Sequence, residues 1–153
     1  LTHTWNRRYT EELIGEKMQE NKNGIFILFD IDKFKNVNDS YGHLTGDDLL
    51  VKISANVADK LYEGDVFGRL GGDEFVLWLA GSGDKEADKI RIWEIFESTK
   101  FRYMEKNVEM DIHCSAGVVF CDEDVEDFEE MYAKADRAMY QAKGAGRNTI
   151  VIA

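Results

Sequence analysis

The sequence predicts an α+β sandwich, with a central mostly antiparallel five-stranded sheet flanked by helices. Three observations carry that expectation. Five short β-prone apolar runs are spread along the chain, around residues 25–29, 66–67, 76–79, 111–120 and 149–152. The segments between them place apolar residues at helical spacing. Two of the runs flank the pair Gly71-Gly72, which reads as a hairpin and therefore as antiparallel pairing. The resulting order is αβαββαβαβ.

The elements follow in order. Trp5, Tyr9, Leu13, Ile14 and Met18 give a first helix over about 6–21, broken by Asn23-Gly24. Ile25 to Phe29 is a continuous apolar run, as in a strand buried on both faces, and it ends in Asp30-Ile31-Asp32. A polar stretch from Lys33 to Gly46 follows, after which Thr45 is expected to cap a second helix with Leu50, Ile53, Val57 and Leu61 as its buried stripe. The hairpin comes next, entered through Gly64-Asp65. Ser82 or Asp84 opens a third helix with Ala87, Ile90, Trp93 and Phe101 on one apolar face. Asp111 to Phe120 reads as one strand, in which Gly117 permits close backbone approach. Phe128, Met131, Ala135, Ala138, Met139 and Ala142 mark a fourth helix, with Lys143 in its last turn and Gly144 as C-cap. Thr149 to Ile152 is the last strand.

Composition bounds the function. A chain of 153 residues with 44% hydrophobic residues is large enough for one domain with a core. A net charge of −11 argues against nucleic acid, whose phosphates call for a basic surface. It leaves a nucleotide open, because a metal ion can stand between acids and phosphates. No apolar run reaches membrane-span length. Cys114 and Cys121 form no CxxC pair, which points to buried thiols in a reducing compartment and away from a zinc site. The abrupt opening at Leu1 leads to the expectation of a domain excised from a longer protein.

The chemistry gathers on Arg69-Leu70-Gly71-Gly72-Asp73-Glu74-Phe75. A turn without side chains lets a ligand approach the backbone, and two carboxylates follow at once. Asp30, at a strand end, meets Asp73 if the hairpin pairs beside that strand. Two carboxylates and a backbone carbonyl, such as that of Ile31, form a hard oxygen site suited to Mg²⁺. Lys35, Lys143 and Arg147 are cations near glycines or element ends, placed to hold phosphates. Walker A, GxGxxG and HExxH patterns are absent from the sequence.

Taken together, these segments resemble the GGDEF-domain diguanylate cyclases. Phe29 to Lys35, Asn38-Asp39, Tyr41-Gly42-His43 and Gly46-Asp47 match one family segment, and Arg69 to Phe75 matches its hairpin. Ser115-Ala116-Gly117, Asp136 to Lys143 and Gly146-Arg147-Asn148 resemble its closing segments. The resemblance spans nearly the whole chain, so that 1–153 reads as one catalytic domain. It implies a palm-like fold of the nucleotidyl cyclase, ferredoxin-like kind. It also implies condensation of two GTP into cyclic di-GMP, with release of pyrophosphate, in a homodimer.

The roles it implies are as follows. Asp30, the Ile31 carbonyl and Asp73 bind Mg²⁺ (Mn²⁺ being an alternative), and Glu74 supports the metal. Asp73 is also the base for the 3′-hydroxyl, with Glu74 beside it in the catalytic pair. Gly71 and Gly72 leave room for the nucleotide. Asn38 and Asp47 read guanine, and His43 lies in the same region. Lys35, Lys143 and Arg147 bind phosphates. An upstream sensory domain and a cytoplasmic location of this domain are implied as well, with membrane attachment of the full protein left open.

There are departures from the family pattern. The opening segment has His3 and Thr4 where the family has Gly and Leu. The product-binding RxxD motif reads Tyr62-Glu63-Gly64-Asp65 here, so the inhibitory site is degenerate and weak feedback is expected. His113 is expected to pack. The competing reading is a catalytically silent domain of the same family that binds GTP and regulates an attached partner. A purely structural dimerisation module gives no reason to keep acids, glycines and guanine-reading groups together.

Overall fold

The structure, a computed structural model, describes residues 6–105, 107–121 and 127–153. Its elements are α1 (Arg7–Glu20), β1 (Ile25–Ile31), α2 (Phe34–Tyr41), α3 (His43–Ala58), β2 (Val66–Gly71), β3 (Glu74–Leu79), α4 (Lys85–Ser98), β4 (Phe101–Glu105), β5 (Val108–Ile112), β6 (Cys114–Phe120), α5 (Phe128–Gly144) and β7 (Ile150–Ile152). Five strands form one sheet in the order β2-β3-β1-β6-β7, and β4-β5 stands apart as a two-stranded ribbon. Within the main sheet only β6 and β7 run parallel. The α+β sandwich with a mostly antiparallel five-stranded sheet is therefore the fold observed.

β1 lies in the middle because its whole length is apolar enough to be covered on both faces; all seven residues are buried. Alternation along β1 divides the core. Ile25, Ile27, Phe29 and Ile31 face α3 and α4 with Phe67, Phe75 and Leu77. Phe26 and Leu28 face α1 and α5 with Val66, Val76 and Trp78. The close approach expected at Gly117 is real: a Cβ there would stand 2.0 Å from the Ala135 carbonyl of α5.

Several expectations need correction. The polar stretch 33–46 is largely helical. Phe34 and Val37 are three residues apart and supply an inward edge, so α2 forms and packs on α3. Gly42, at φ 90°, separates the two helices. Thr45 lies inside α3 and does not cap it; its hydroxyl donates to the Tyr41 carbonyl at 3.3 Å. α3 ends at Ala58, so Leu61 packs on the core from beyond the helix.

α4 starts at Asp84 as its N-cap, but its buried face is Asp88, Ile92, Ile95 and Phe96. Ala87, Ile90 and Trp93 are exposed, and Phe101 belongs to β4. The cause is Asp88, a buried acid that takes the Ser82 amide at 3.1 Å and hides the true apolar stripe. The single strand expected over 111–120 breaks at His113, and a hairpin (β4-β5) precedes the break, tied by Arg102 to Glu109 and Asp111.

On α1, Thr10 takes the inward place expected for Tyr9. The expected contribution of Trp5, like the departures at His3 and Thr4, lies outside the described residues. Ala145 caps α5, with Gly144 as its last residue. β7 begins at Ile150. Cys114 is buried, whereas Cys121 is only half-buried; neither forms a disulfide. Among the described residues no helix is long and apolar enough to cross a membrane.

Candidate active site

The site forms where the central strand runs out of apolar residues. Asp30 stands in register with Glu74 on β3 and Ser115 on β6. The hairpin turn then carries Asp73 over the end of β1, where its carboxyl faces the Ile31 amide. Gly72, at φ 51°, makes this turn. No atom lies within 4 Å of where a Cβ would stand on Gly71 or Gly72, so the tip is open to a ligand. Sequence reasoning brought Asp30 and Asp73 together on the condition that β3 pairs with β1, and it does.

Asp30 is crowded and dry. Its side chain is 12% exposed, Oδ2 accepts from Lys143 Nζ at 2.6 Å, and Oδ1 is buried without a partner among the described residues. Desolvation pushes its carboxyl up to about 6, against the pull of Lys143 and with the help of the neighbouring Asp73 and Asp32 charges. Desolvation also raises Asp73, opposed by its own backbone amide, Lys143, the Ile31 amide and Arg69. Lys143 comes from the last turn of α5, so this helix brings a cation to the acids at the end of β1.

The same helix holds Glu74. Tyr132 donates its hydroxyl to Glu74 Oε1 at 2.6 Å. Burial, and then this bond, push the Tyr132 phenol upward. Tyr132 lies eleven residues before Lys143, which is three helical turns, so both project from one side of α5. That spacing is legible in the sequence. Among the described residues no group of three or more Asp, Glu, His or Cys side chains converges as a metal cage. Glu74 is thus turned toward α5, while Asp30 and Asp73 form the acidic pair.

The remaining site residues lie on the rim. Asn38 is half-buried on α2; its Oδ1 is without a partner among the described residues and would be 1.9 Å from a Cβ on Gly46. Only glycine at 46 leaves that carbonyl its room. Asp47 and His43 on α3, Lys35 on α2 and Arg147 after α5 are exposed. Asp32, given no role from the sequence, is wholly buried behind the site. His113 does more than pack: its Nδ1 meets Asp32 Oδ2 at 2.5 Å.

The Asp65 carboxylate is closed off, while Tyr62 is exposed. The Asp65 side chain is 1% exposed and accepts from the Tyr62 amide at 2.7 Å, from the Ala80 amide at 3.1 Å and from Arg91 of α4. The Arg91 guanidinium lies 4.0 Å from the centre of the Tyr62 ring. An arginine thus reaches Asp65 from 26 positions downstream, a partner that no local pattern announces.

A family model described as "Diguanylate cyclase, GGDEF domain" matches residues 1–149. The chain belongs to the GGDEF family. Similar curated proteins include the uncharacterized protein YtrP of Bacillus subtilis, 33% identical over 99% of this chain and 25% of the relative. The probable diguanylate cyclase DgcC of Escherichia coli is 29% identical over 100% of this chain and 42% of its own length. The cyclic di-GMP phosphodiesterase PdeR of Escherichia coli is 34% identical over 99% of this chain and 23% of its own. This chain therefore spans less than half the length of these relatives. Among solved structures, the GGDEF domain of YfiN (TpbB) from Pseudomonas aeruginosa superposes with a TM-score of 0.88 at 29% identity, covering 100% of this chain and 98% of that one. The palm-like fold of GGDEF domains is the fold of this chain.

Proposed function

We propose that this GGDEF domain is a diguanylate cyclase. Two GTP molecules would form one cyclic di-GMP and two pyrophosphates, each 3′-oxygen attacking the α-phosphorus of the other nucleotide. The observation that carries this reading is the pair Asp30 and Asp73, desolvated at one strand end beneath an open glycine turn, with one Asp30 oxygen lacking a partner among the described residues. Such a pair suits Mg²⁺, which binds through one or two carboxylates and completes its shell with phosphate and water. Asp30, Asp73 and the Ile31 carbonyl would hold it. When bound, the ion polarises the α-phosphate and stabilises the charge on the attacking and leaving oxygens.

The protein's own groups divide the remaining work. Asp73 takes the proton of the 3′-hydroxyl. Its upward shift brings it nearer the working pH, which improves it as a base. Tyr132 keeps Glu74 oriented beside the pair. Lys143, now on Asp30, is placed to exchange that carboxylate for a phosphate oxygen, and Lys35 and Arg147 add charge farther out. Asp47 accepts from guanine N1–H and the 2-amino group, donors that adenine lacks, with Asn38 beside it. Each domain holds one nucleotide, so two copies face each other across a twofold axis and align the 3′-oxygens with the phosphorus atoms. Upstream sensory segments and a cytoplasmic setting for the domain complete the proposal.

A silent, GTP-binding regulatory domain is the second reading, and the match to a protein named as a phosphodiesterase keeps it in view. Incubation with GTP and Mg²⁺ followed by chromatography separates the two. Cyclic di-GMP supports the enzyme; saturable GTP binding without product supports the silent domain.

A further inference from the structure

Asp32 has no part in the chemistry above, and its side chain is 0% exposed, so it cannot touch a nucleotide. Both of its oxygens are nonetheless fully engaged. The Ser115 hydroxyl donates to Oδ1 at 2.6 Å. Oδ2 meets His113 Nδ1 at 2.5 Å and accepts the backbone N–H of Asn148 at 2.9 Å. Ser115 and His113 flank the start of β6, next to β1. Asn148 comes from the other end of the chain, in the turn between α5 and β7.

That turn is unusual. Gly146, Arg147 and Asn148 have φ of 108°, 66° and 50°, three left-handed residues in succession. Glycine and asparagine tolerate this region, but an arginine does so at a cost, and a left-handed Arg147 persists only where the surroundings impose it. The near side of the turn is tied to α5, through Gly146 N–H to the Lys143 carbonyl at 3.3 Å and Arg147 N–H to the Ala142 carbonyl at 3.1 Å. The far side is tied by Asn148 to Asp32. Arg147 is thus fixed between Lys143, which sits on Asp30, and the end of β1. Its own guanidinium is exposed and makes no hydrogen bond or ion pair among the described residues. A long cation without a partner among the described residues, on a forced backbone tied to Ala142 on one side and through Asn148 to Asp32 on the other, is an arrangement for presenting charge.

We propose that Asp32 is a positioning residue for the triphosphate: its buried carboxylate locks the left-handed turn that presents Arg147 to the phosphates. This rests on the reading of Arg147 as a phosphate contact. A plain core latch would lower stability when broken and leave the phosphates alone; a positioning residue acts through Arg147.

The test is a double-mutant cycle of Asp32→Asn and Arg147→Ala, read as equilibrium binding of a non-hydrolysable GTP analogue and, in parallel, of GMP. Arg147→Ala should weaken the analogue roughly tenfold or more, the worth of one charge-assisted hydrogen bond. Asp32→Asn should weaken it by a similar factor and GMP much less. The double variant should bind no more weakly than Arg147→Ala alone. Ser115→Ala, which takes one oxygen atom from the core, should show the same selectivity by a smaller factor and serves if Asp32→Asn does not fold. Wild-type analogue binding in the folded Asp32 and Ser115 variants, or losses that multiply in the cycle, would overturn the proposal. Unchanged binding in Arg147→Ala would instead remove the phosphate contact on which it stands, and the proposal with it.

Discussion

Asp30 makes the stability of the metal-free domain depend on pH in a direction that can be worked out. Its carboxyl lies at about 6 in the folded chain against an ordinary value of 3.8. A raised acid holds its proton more tightly when folded. Below pH 3.8 both states are protonated and the group contributes nothing. As the pH climbs through the window from 3.8 to 6, the unfolded chain releases its proton first and the fold loses stability. Above that window the penalty is complete, about 2 pKa units or about 3 kcal/mol. Roughly half of it should develop between pH 5 and pH 7.5. Asp73 is shifted the same way by the same cause and steepens the slope. Urea denaturation without metal, at pH 5 and pH 7.5, should show wild type falling by that amount relative to Asp30→Asn, which has no proton to lose. Excess Mg²⁺ should stabilise wild type more at pH 7.5 than at pH 5, where protons compete for the same oxygens. Parallel pH profiles for wild type and Asp30→Asn would refute the reasoning.

Other outcomes follow from the same geometry. Asp73→Asn should fold and lose turnover, because an amide is a poor Mg²⁺ ligand and no base; a wild-type rate at equal Mg²⁺ would remove Asp73 from the mechanism. Asp47→Ser should narrow the preference for GTP over ATP by about 1.5–3 kcal/mol, the loss of a hydrogen bond to a charged group, in a competition assay. Cyclic di-GMP at low micromolar concentration should leave the initial rate unchanged, since Asp65 is already occupied by Arg91 and two amides. Asp65→Ala should act on the fold, costing about 2–3 kcal/mol in urea denaturation because the half-buried Arg91 and two backbone amides lose a charged acceptor.

The acidic pair was legible in the sequence because each half has a local signal. An apolar run that ends in Asp30 is a central strand, and a Gly-Gly turn with Asp73 behind it is a hairpin tip; the antiparallel pairing of β3 with β1 then brings them together. What escaped notice depends on distant partners or on masked periodicity. Asp88 interrupts the buried face of α4, so Ile90 and Trp93 gave a false stripe at an equally helical spacing. The polar residues of α2 outnumber its inward ones, and a helix of eight residues offers little pattern to count. Arg91 replaces the missing positive charge beside Tyr62 from another element, which composition around Asp65 cannot reveal. Asp32 differs from Asp30 only in what the fold places next to it. Tyr132 was within reach, by its spacing from Lys143 on one helix.

The most direct test of the central claim is product formation at a protein concentration where sedimentation shows dimer. GTP and Mg²⁺ should give cyclic di-GMP and pyrophosphate in a ratio of one to two, with specific activity rising through the range in which dimers form. GTP bound saturably by the dimer, with neither product released, would contradict it.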